Sequence, residues 1–351
     1  MTQMRRPLRV AMVAPPYFDV PPRGYGGIEE VIGDLVAALV NRGHDVTLIG
    51  AGAGADRTPG RFARTFAEPQ SDRLGEPMPE VIHAAAAARM LAELEVDVVH
   101  DHTLAGPLTA PGRPAPTVAT MHGPLDGDLG DYYRQFGDAI DFVAISESQR
   151  AKAPDLHWTA TVYNGLNTDS FPFREEKEDW VLFIGRFDPG KGVDLAIEAA
   201  RAAGRKIVLA GKLNEPDEEE YFEQAIRPLL DGGVTYVGEA DAALKRELYG
   251  KAAALLFPIR WPEPFGMVMV EAMACGTPVV ALREGSVPEV VDDGRTGIIC
   301  DEPAELAAAI DRAVALCPSD CRRHVVENFD AARMAEGYET VYHGAIQARQ
   351  A

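Results

Sequence analysis

The chain has 351 residues, 46% hydrophobic and 25% charged, which at about 100 to 200 residues per domain calls for two globular domains and excludes disorder, coiled coil and collagen. Thirty-four Lys and Arg stand against 54 Asp and Glu, a formal net charge of −20 that repels nucleic-acid backbones and anionic membrane surfaces. No nucleic-acid partner is expected, and any phosphate must be held by local amides and a few cations working against that field.

Taken in chain order, short apolar runs alternate with helical patterns, as in repeated βα units around a buried parallel sheet. The runs are Leu8 to Ala14, Val46 to Ile49, Val96 to His100, Thr117 to Met121 and Phe142 to Ser146. A second set runs Val181 to Ile184, Ile207 to Ala210, Val234 to Val237, Ala254 to Pro258, Val279 to Ala281 and Gly297 to Ile299. Between the first two, Ile28, Val31, Ile32, Leu35 and Leu39 recur at helical spacing and Gly43 ends the helix, which completes one βαβ unit. Basic Arg5, Arg6 and Arg9 precede the apolar stretch Val10 to Ala14, but Pro15 and Pro16 stop it far short of a signal sequence, and no stretch approaches the ~20 apolar residues of a membrane helix. Cys275, Cys300, Cys317 and Cys321 form no C-x-x-C pair and read as free thiols, so a cytoplasmic location is expected.

Tyr163 to Asp169 and the charged run Arg174 to Asp179 separate the two sets of strands and mark a hinge. Two doubly wound domains place ligands beyond the carboxyl ends of their sheets, so the loops there carry the argument. After the first run come Arg23-Gly24-Tyr25-Gly26-Gly27, just before a strong helix; such glycines let amides approach an anion, although an ordinary flexible loop would look alike. The G-x-G-x-x-G fingerprint of dinucleotide enzymes is absent, which argues against a dehydrogenase. In the second half, Gly185-Arg186 to Lys191-Gly192 follows a buried strand, and two cations around a Pro-Gly turn suit a pair of phosphates. Further on, Trp261 to Val280 holds Glu263 in a Pro-bracketed loop, a helix starting at Phe265-Gly266, Glu271 about a turn and a half along it, and Gly276 as its stop.

Glu263 and Glu271 match the E-x7-E pattern of retaining GT-B glycosyltransferases, and the run resembles the signature of glycosyltransferase family 4. The same family has a glycine-rich first loop, a Thr-His-Gly after an N-domain strand, an Asn-Gly-hydrophobic-Asp/Asn hinge segment and a Gly-Arg-x-x-x-x-Lys-Gly loop. Here these are Gly26-Gly27, Thr120-Met121-His122-Gly123, Asn164-Gly165-Leu166-Asn167 and Gly185-Arg186 to Lys191-Gly192, in that order and over nearly the whole chain. Two departures are Met121 between Thr120 and His122, and Gly190 where many relatives have Glu before the Lys.

The resemblance implies an α/β GT-B fold, two Rossmann-like doubly wound parallel-sheet domains facing across a cleft. Residues 1–168 would form the acceptor-side domain, 169–330 the donor-binding domain, and helix 331–351 would cross back onto the first. It implies hexose transfer with retention, from a nucleotide-diphosphate sugar to an unidentified hydroxyl acceptor, with no metal or other cofactor and no assigned protein nucleophile. Arg186 and Lys191 would bind the diphosphate and stabilise the leaving group, with amides of Gly26 and Gly27 on the same group. Glu263, Phe265, Gly266 and Met267 would hold the donor sugar, Glu271 the ribose, and His122 would lie beside the anomeric centre. Backbone at Gly211, Lys212, Val237 and Gly238 would frame the base. The Trp-Pro-Glu-Pro-Phe-Gly form and Gly285-Ser286-Val287-Pro288-Glu289 resemble a bacterial branch assumed to use nucleotide-glucose, UDP-glucose being the donor this suggests. A non-hydrolysing nucleotide-sugar epimerase of the same fold and a non-catalytic sugar-nucleotide-binding module are the alternatives.

Three other features read as ordinary surface or cleft lining. Asp126-Gly127-Asp128 imitates a metal-binding D-x-D but lacks the remaining ligands. His100 and His102 with His122 would make a zinc site only against the family pattern. Arg57, Arg61, Arg64 and Arg73 lie amid Pro and Gly with no apolar stripe and read as a solvated face.

Overall fold

A computed structural model describes residues 6–350 apart from 23, 25, 55, 56 and 214. Arg5, Arg23 and Tyr25, named above, therefore lie outside the described residues. The chain forms two compact units, residues 1–166 with 331–351 and residues 167–330.

The first unit is a parallel sheet of β1 (Arg9–Val13), β2 (Asp45–Ala51), β3 (Arg61–Phe66), β4 (Val98–Asp101), β5 (Thr117–Thr120), β6 (Asp141–Ala144) and β7 (Trp158–Thr161), in the order β3-β2-β1-β4-β5-β6-β7. Strand residues alternate between its two faces. Ala11, Val13, Ile49 and Val99 pack under Ala87 and Leu91 of helix Pro77–Glu93. On the other face Met12 pairs in register with His100, beneath the terminal helix Ala331–Gln350, which lies against helix Gly27–Asn41.

The second unit repeats the plan with β8 (Trp180–Ile184), β9 (Lys206–Ala210), β10 (Val234–Tyr236), β11 (Ala254–Phe257), β12 (Val279–Leu282) and β13 (Gly297–Cys300), in the order β10-β9-β8-β11-β12-β13. Val181, Phe183, Ile207, Leu209 and Leu256 form one core with helices Val193–Ala202 and Leu306–Val314. Helix Met267–Ala274 is buried on nearly every side, packed with helix Pro318–Asn328.

The apolar runs all became strands, with ends shifted by one or two residues. Two strands were not anticipated, β3 and β7, and both are edges of the first sheet. An edge strand is covered less than a central one, and RFARTF and WTAT alternate polar and apolar residues with no fully buried position. The arginines of this region stay on a solvated face, Arg61 at 63% and Arg73 at 40% side-chain exposure, while making surface ion pairs. Arg61 sits in β3 and pairs with Asp45 at 2.7 Å, Arg57 reaches Asp19 at 3.6 Å and Arg73 pairs with Glu76 at 2.9 Å. The charged run 174–179 is no free linker. Lys177 Nζ is partly buried and donates to Gly250 O, Cys275 O and Thr277 Oγ1 at 2.8 to 3.0 Å, and burial lowers its pKa to about 8.

Candidate active site

In each unit the strand order reverses beside the first strand, between β1 and β4 and between β8 and β11. Loops diverge there and leave a crevice at the carboxyl ends of the strands.

In the second unit the crevice is bounded by the loop 185–192 after β8 and the loop 258–266 after β11. Phe187 is buried against Phe222 and Tyr236, which anchors the first loop and leaves Arg186 out, 40% exposed, 3.9 Å from Asp188. Asp188 Oδ1 accepts from the Lys191 amide at 3.2 Å and so caps the turn. Gly192 is at φ 73°, and a Cβ there would lie 2.1 Å from Pro258 O, so only glycine lets the two loops touch. The Arg260 amide donates to Gly190 O at 2.8 Å, and its guanidinium spans Pro189 O and Asp194.

This packing brings together two residues 72 apart in sequence. Lys191 Nζ donates to Glu263 Oε2 at 2.6 Å and lies 5.0 Å from the centre of the Trp261 ring. Both partners are largely but not wholly covered, at 16% and 14% exposure. The ammonium has three donors, so it keeps one bond to Glu263 while offering others to an incoming anion.

The Glu263 loop is itself clamped from β12. Ser286 N donates to Glu263 O at 3.0 Å, Ser286 Oγ donates to Phe265 O at 2.8 Å, and a Cβ on Gly285 would fall 2.3 Å from Glu263 O. Gly266, at φ 77°, turns the chain into helix Met267–Ala274, with Met267 as its first residue and Phe265 buried against Phe329. Gly276 follows the helix at φ 82° as its stop.

Glu271 lies deep, 3% exposed, and each of its oxygens already takes a protein donor: Oε1 from Lys245 Nζ at 2.8 Å and Oε2 from Tyr249 Oη at 2.6 Å. A carboxylate has about four acceptor positions, so the pairing orients Glu271 without filling it. Gly211, Lys212, Val237 and Gly238 sit just past β9 and β10 beside this crevice. Gly211 N donates to Gly238 O at 3.0 Å, and a Cβ on Gly211 would lie 2.0 Å from Gly185 O.

In the first unit Gly26 is at φ 147° with Pro22 packed against it, and its carbonyl accepts from Glu30 N at 2.9 Å to open the helix that begins at Gly27. Glu29 is buried in the first turn, and desolvation pushes its carboxyl up to about 7.

His122 follows β5. Its Nε2 is 2.9 Å from His102 Nδ1, whose Nε2 faces Met12 Sδ at 3.0 Å. His100 places Nδ1 at 2.7 Å from Tyr342 Oη and Nε2 at 2.7 Å from Thr120 Oγ1, which meets Tyr338 Oη at 2.8 Å. Burial lowers the pKa of His122 to about 4 and holds His100 and His102 well below 6.5, so all three rings are neutral at pH 7. Both nitrogens of His100, both of His102 and Nε2 of His122 are committed to hydroxyls, sulfur or one another, and among the described residues no three His, Cys, Asp or Glu side chains are grouped to hold a metal.

Several residues of these sites carried no signal in the sequence. Lys245 and Tyr249 act only through contacts between distant segments. So does Gln149, whose Nε2 donates to Met121 O at 3.0 Å and Gly123 O at 2.9 Å, on either side of His122, while its Oε1 accepts from Ile145 N at 2.9 Å. Gln149→Ala strands three buried backbone groups, at about 1 to 3 kcal/mol for each group left unpaired. It is expected to lower the urea midpoint and to reduce kcat about tenfold by releasing His122; an unchanged kcat in the folded variant would remove His122 from the reaction.

Comparison with known proteins agrees with this geometry. The sequence model of the family described as Glycosyl transferases group 1 matches residues 167–328, and that of Glycosyltransferase Family 4 matches residues 25–170. The alpha-maltose-1-phosphate synthase of Mycolicibacterium smegmatis is 31% identical over 404 aligned positions, covering 95% of this chain and 99% of that protein. The phosphatidyl-myo-inositol mannosyltransferase of the same organism is 28% identical, covering 86% and 84%. Among solved structures, AviGT4, a glycosyltransferase involved in avilamycin A biosynthesis, superposes with a TM-score of 0.76 at 27% identity, covering 97% of this chain and 99% of that one. Two Rossmann-like parallel-sheet units, with a cation-bearing loop at the switch point of the second, define a GT-B glycosyltransferase, and the chain belongs to glycosyltransferase family 4.

Proposed function

We propose that the enzyme moves a hexose from a nucleoside-diphosphate sugar to a hydroxyl acceptor, with retention at the anomeric carbon and without a metal ion. The observation that carries this reading is the loop 185–192, which sets Arg186 and Lys191 at one switch point with Glu263 2.6 Å from the lysine. Arg186 forks onto phosphate oxygens and Lys191 adds a point charge where the leaving diphosphate gains charge, which is the work a divalent ion does elsewhere. Glu263 accepts from hydroxyls of the transferred sugar, and the amides of Phe265, Gly266 and Met267 complete that subsite. Glu271, oriented by Lys245 and Tyr249, takes the ribose, and the backbone at Gly211, Lys212, Val237 and Gly238 frames the base. For the first unit, the family resemblance supports anion binding by the amides of Gly26 and Gly27 and a sugar-directed hydrogen bond from neutral His122.

The names of the relatives include a mannosyltransferase and a maltose-1-phosphate synthase, which supports a hexose without choosing one. UDP-glucose is the first donor to test, on the form of the Trp261 to Gly266 segment.

The test is a thermal-shift series with UDP-, GDP- and ADP-sugars in EDTA, with NAD as control. A donor at 100 times its Kd stabilises the folded state by about 2.7 kcal/mol. A rise with one nucleotide sugar in EDTA is the expected outcome and names the donor. A rise with NAD alone, or nucleotide-sugar isomerisation without an acceptor, would overturn the transferase reading.

A further inference from the structure

The first unit holds a cavity of about 520 Å³ at the carboxyl end of its own sheet, within the range of small-molecule sites. Tyr17 enters it from the loop after β1, Leu104 and Leu108 from the loop after β4, Leu129 and Tyr132 from the segment after β5, and Val81 from helix Pro77–Glu93. Val81, Leu104 and Leu108 are 50%, 47% and 62% exposed. Large aliphatic side chains converging on one concave wall are unlike the singly scattered hydrophobics of an ordinary surface.

Both tyrosines have their polar ends occupied. Tyr132 Oη donates to Leu104 O at 2.6 Å and Tyr17 Oη to Glu76 O at 3.3 Å, so their rings turn an apolar surface to the cavity. The ionisable residues of the wall are Glu76, Glu80 and Asp128, with no Lys, Arg or His among the lining residues. Arg73, outside the lining, offsets Glu76 at 2.9 Å, whereas Glu80 and Asp128 make no ion pair among the described residues. Glu80 is 7% exposed and accepts from Ala105 N at 3.3 Å. A wall that is apolar with acidic groups and no cation rejects anions and admits an uncharged apolar body.

We propose that this cavity binds the uncharged, apolar body of the acceptor, so that the substrate is a neutral hydrophobic alcohol, phenol or glycoside rather than an anionic lipid or a free sugar. The proposal rests on the glycosyltransferase reading above and adds the acceptor's chemical class. It sets this chain apart from its relative named for phosphatidyl-myo-inositol, whose name denotes an anionic lipid.

The test uses the full chain and two probes with the same tail, octyl glucoside and octyl glucuronide, below their micelle concentrations, with glucose as the tail-free control. In calorimetric titrations octyl glucoside binds, octyl glucuronide binds about tenfold more weakly and glucose gives no heat. Leu108→Asp, at a position already largely exposed, loses octyl glucoside binding, and Glu76→Gln with Asp128→Asn raises octyl glucuronide binding toward that of the neutral probe. Equal or tighter binding of the glucuronide, or unchanged octyl glucoside binding in Leu108→Asp, would overturn the proposal. The nucleotide-sugar thermal shift is measured on the same samples. If it is absent from the wild-type chain the transferase reading falls, while the octyl glucoside titration still decides the chemistry of the cavity.

Discussion

Lys191→Ala is expected to lower kcat/KM by about 100- to 1,000-fold, the cost of removing one preorganised donor to a developing oxyanion, while circular dichroism shows an intact fold. Glu263→Ala is expected to lose activity on the same scale. Because their side chains meet at 2.6 Å, the two losses are not independent. Removing the lysine alone leaves a partly covered carboxylate facing the diphosphate, so donor KM rises as well as kcat falling. In the double variant that repulsion is gone, and donor KM returns toward the wild-type value although kcat stays low. A folded Lys191→Ala enzyme with near-normal turnover, or strictly additive losses in the double variant, would remove the pair from catalysis.

Acid is expected to unfold the first unit before the second. His83, fully buried in helix Pro77–Glu93, has its pKa lowered to about 4 by desolvation, as has His122, and burial holds His100 and His102 well below 6.5. In the unfolded chain these rings take a proton near 6.5. Between pH 6.5 and 4 the unfolded state therefore binds more protons, and stability present at neutral pH is lost as the pH falls. Each such histidine steepens the decline by up to about 1.4 kcal/mol per pH unit, and His83 alone accounts for about 3 kcal/mol by the time the pH is below 4. Glu29 acts in the opposite sense: with its carboxyl raised to about 7, the folded state holds a proton between pH 4.5 and 7 that the unfolded chain releases, which offsets one histidine. Amide exchange read separately on peptides of the two units from pH 7.5 to 4.5 would show protection in the first unit falling first. His83→Leu, which removes one buried titrating ring, should make that fall shallower, and protection in the first unit that is flat down to pH 5 would refute the account.

How much of this was legible beforehand depended on whether a feature is local in the chain. Continuous apolar runs report strands covered on both faces, and so the central strands of both sheets were readable from residue order, as were the glycines that punctuate the loops. So too were Arg186 and Lys191, which belong to one loop eight residues long between Gly185 and Gly192. The edge strands β3 and β7 were not readable, because partial cover leaves a mixed polar and apolar composition indistinguishable from a loop.

The sequence by itself determined the class of fold, the two loops that carry the cations and Glu263, and membership in a glycosyltransferase family, because each is written in neighbouring residues. Only the tertiary structure decided that Lys191 meets Glu263 above Trp261, that Lys245 and Tyr249 orient Glu271, that Gln149 braces the loop of His122, and that the acids of the first unit border an apolar cavity with no cation. Those partners come from strands and helices far apart in the chain, and their meeting depends on strand order and on close packing that no local pattern encodes.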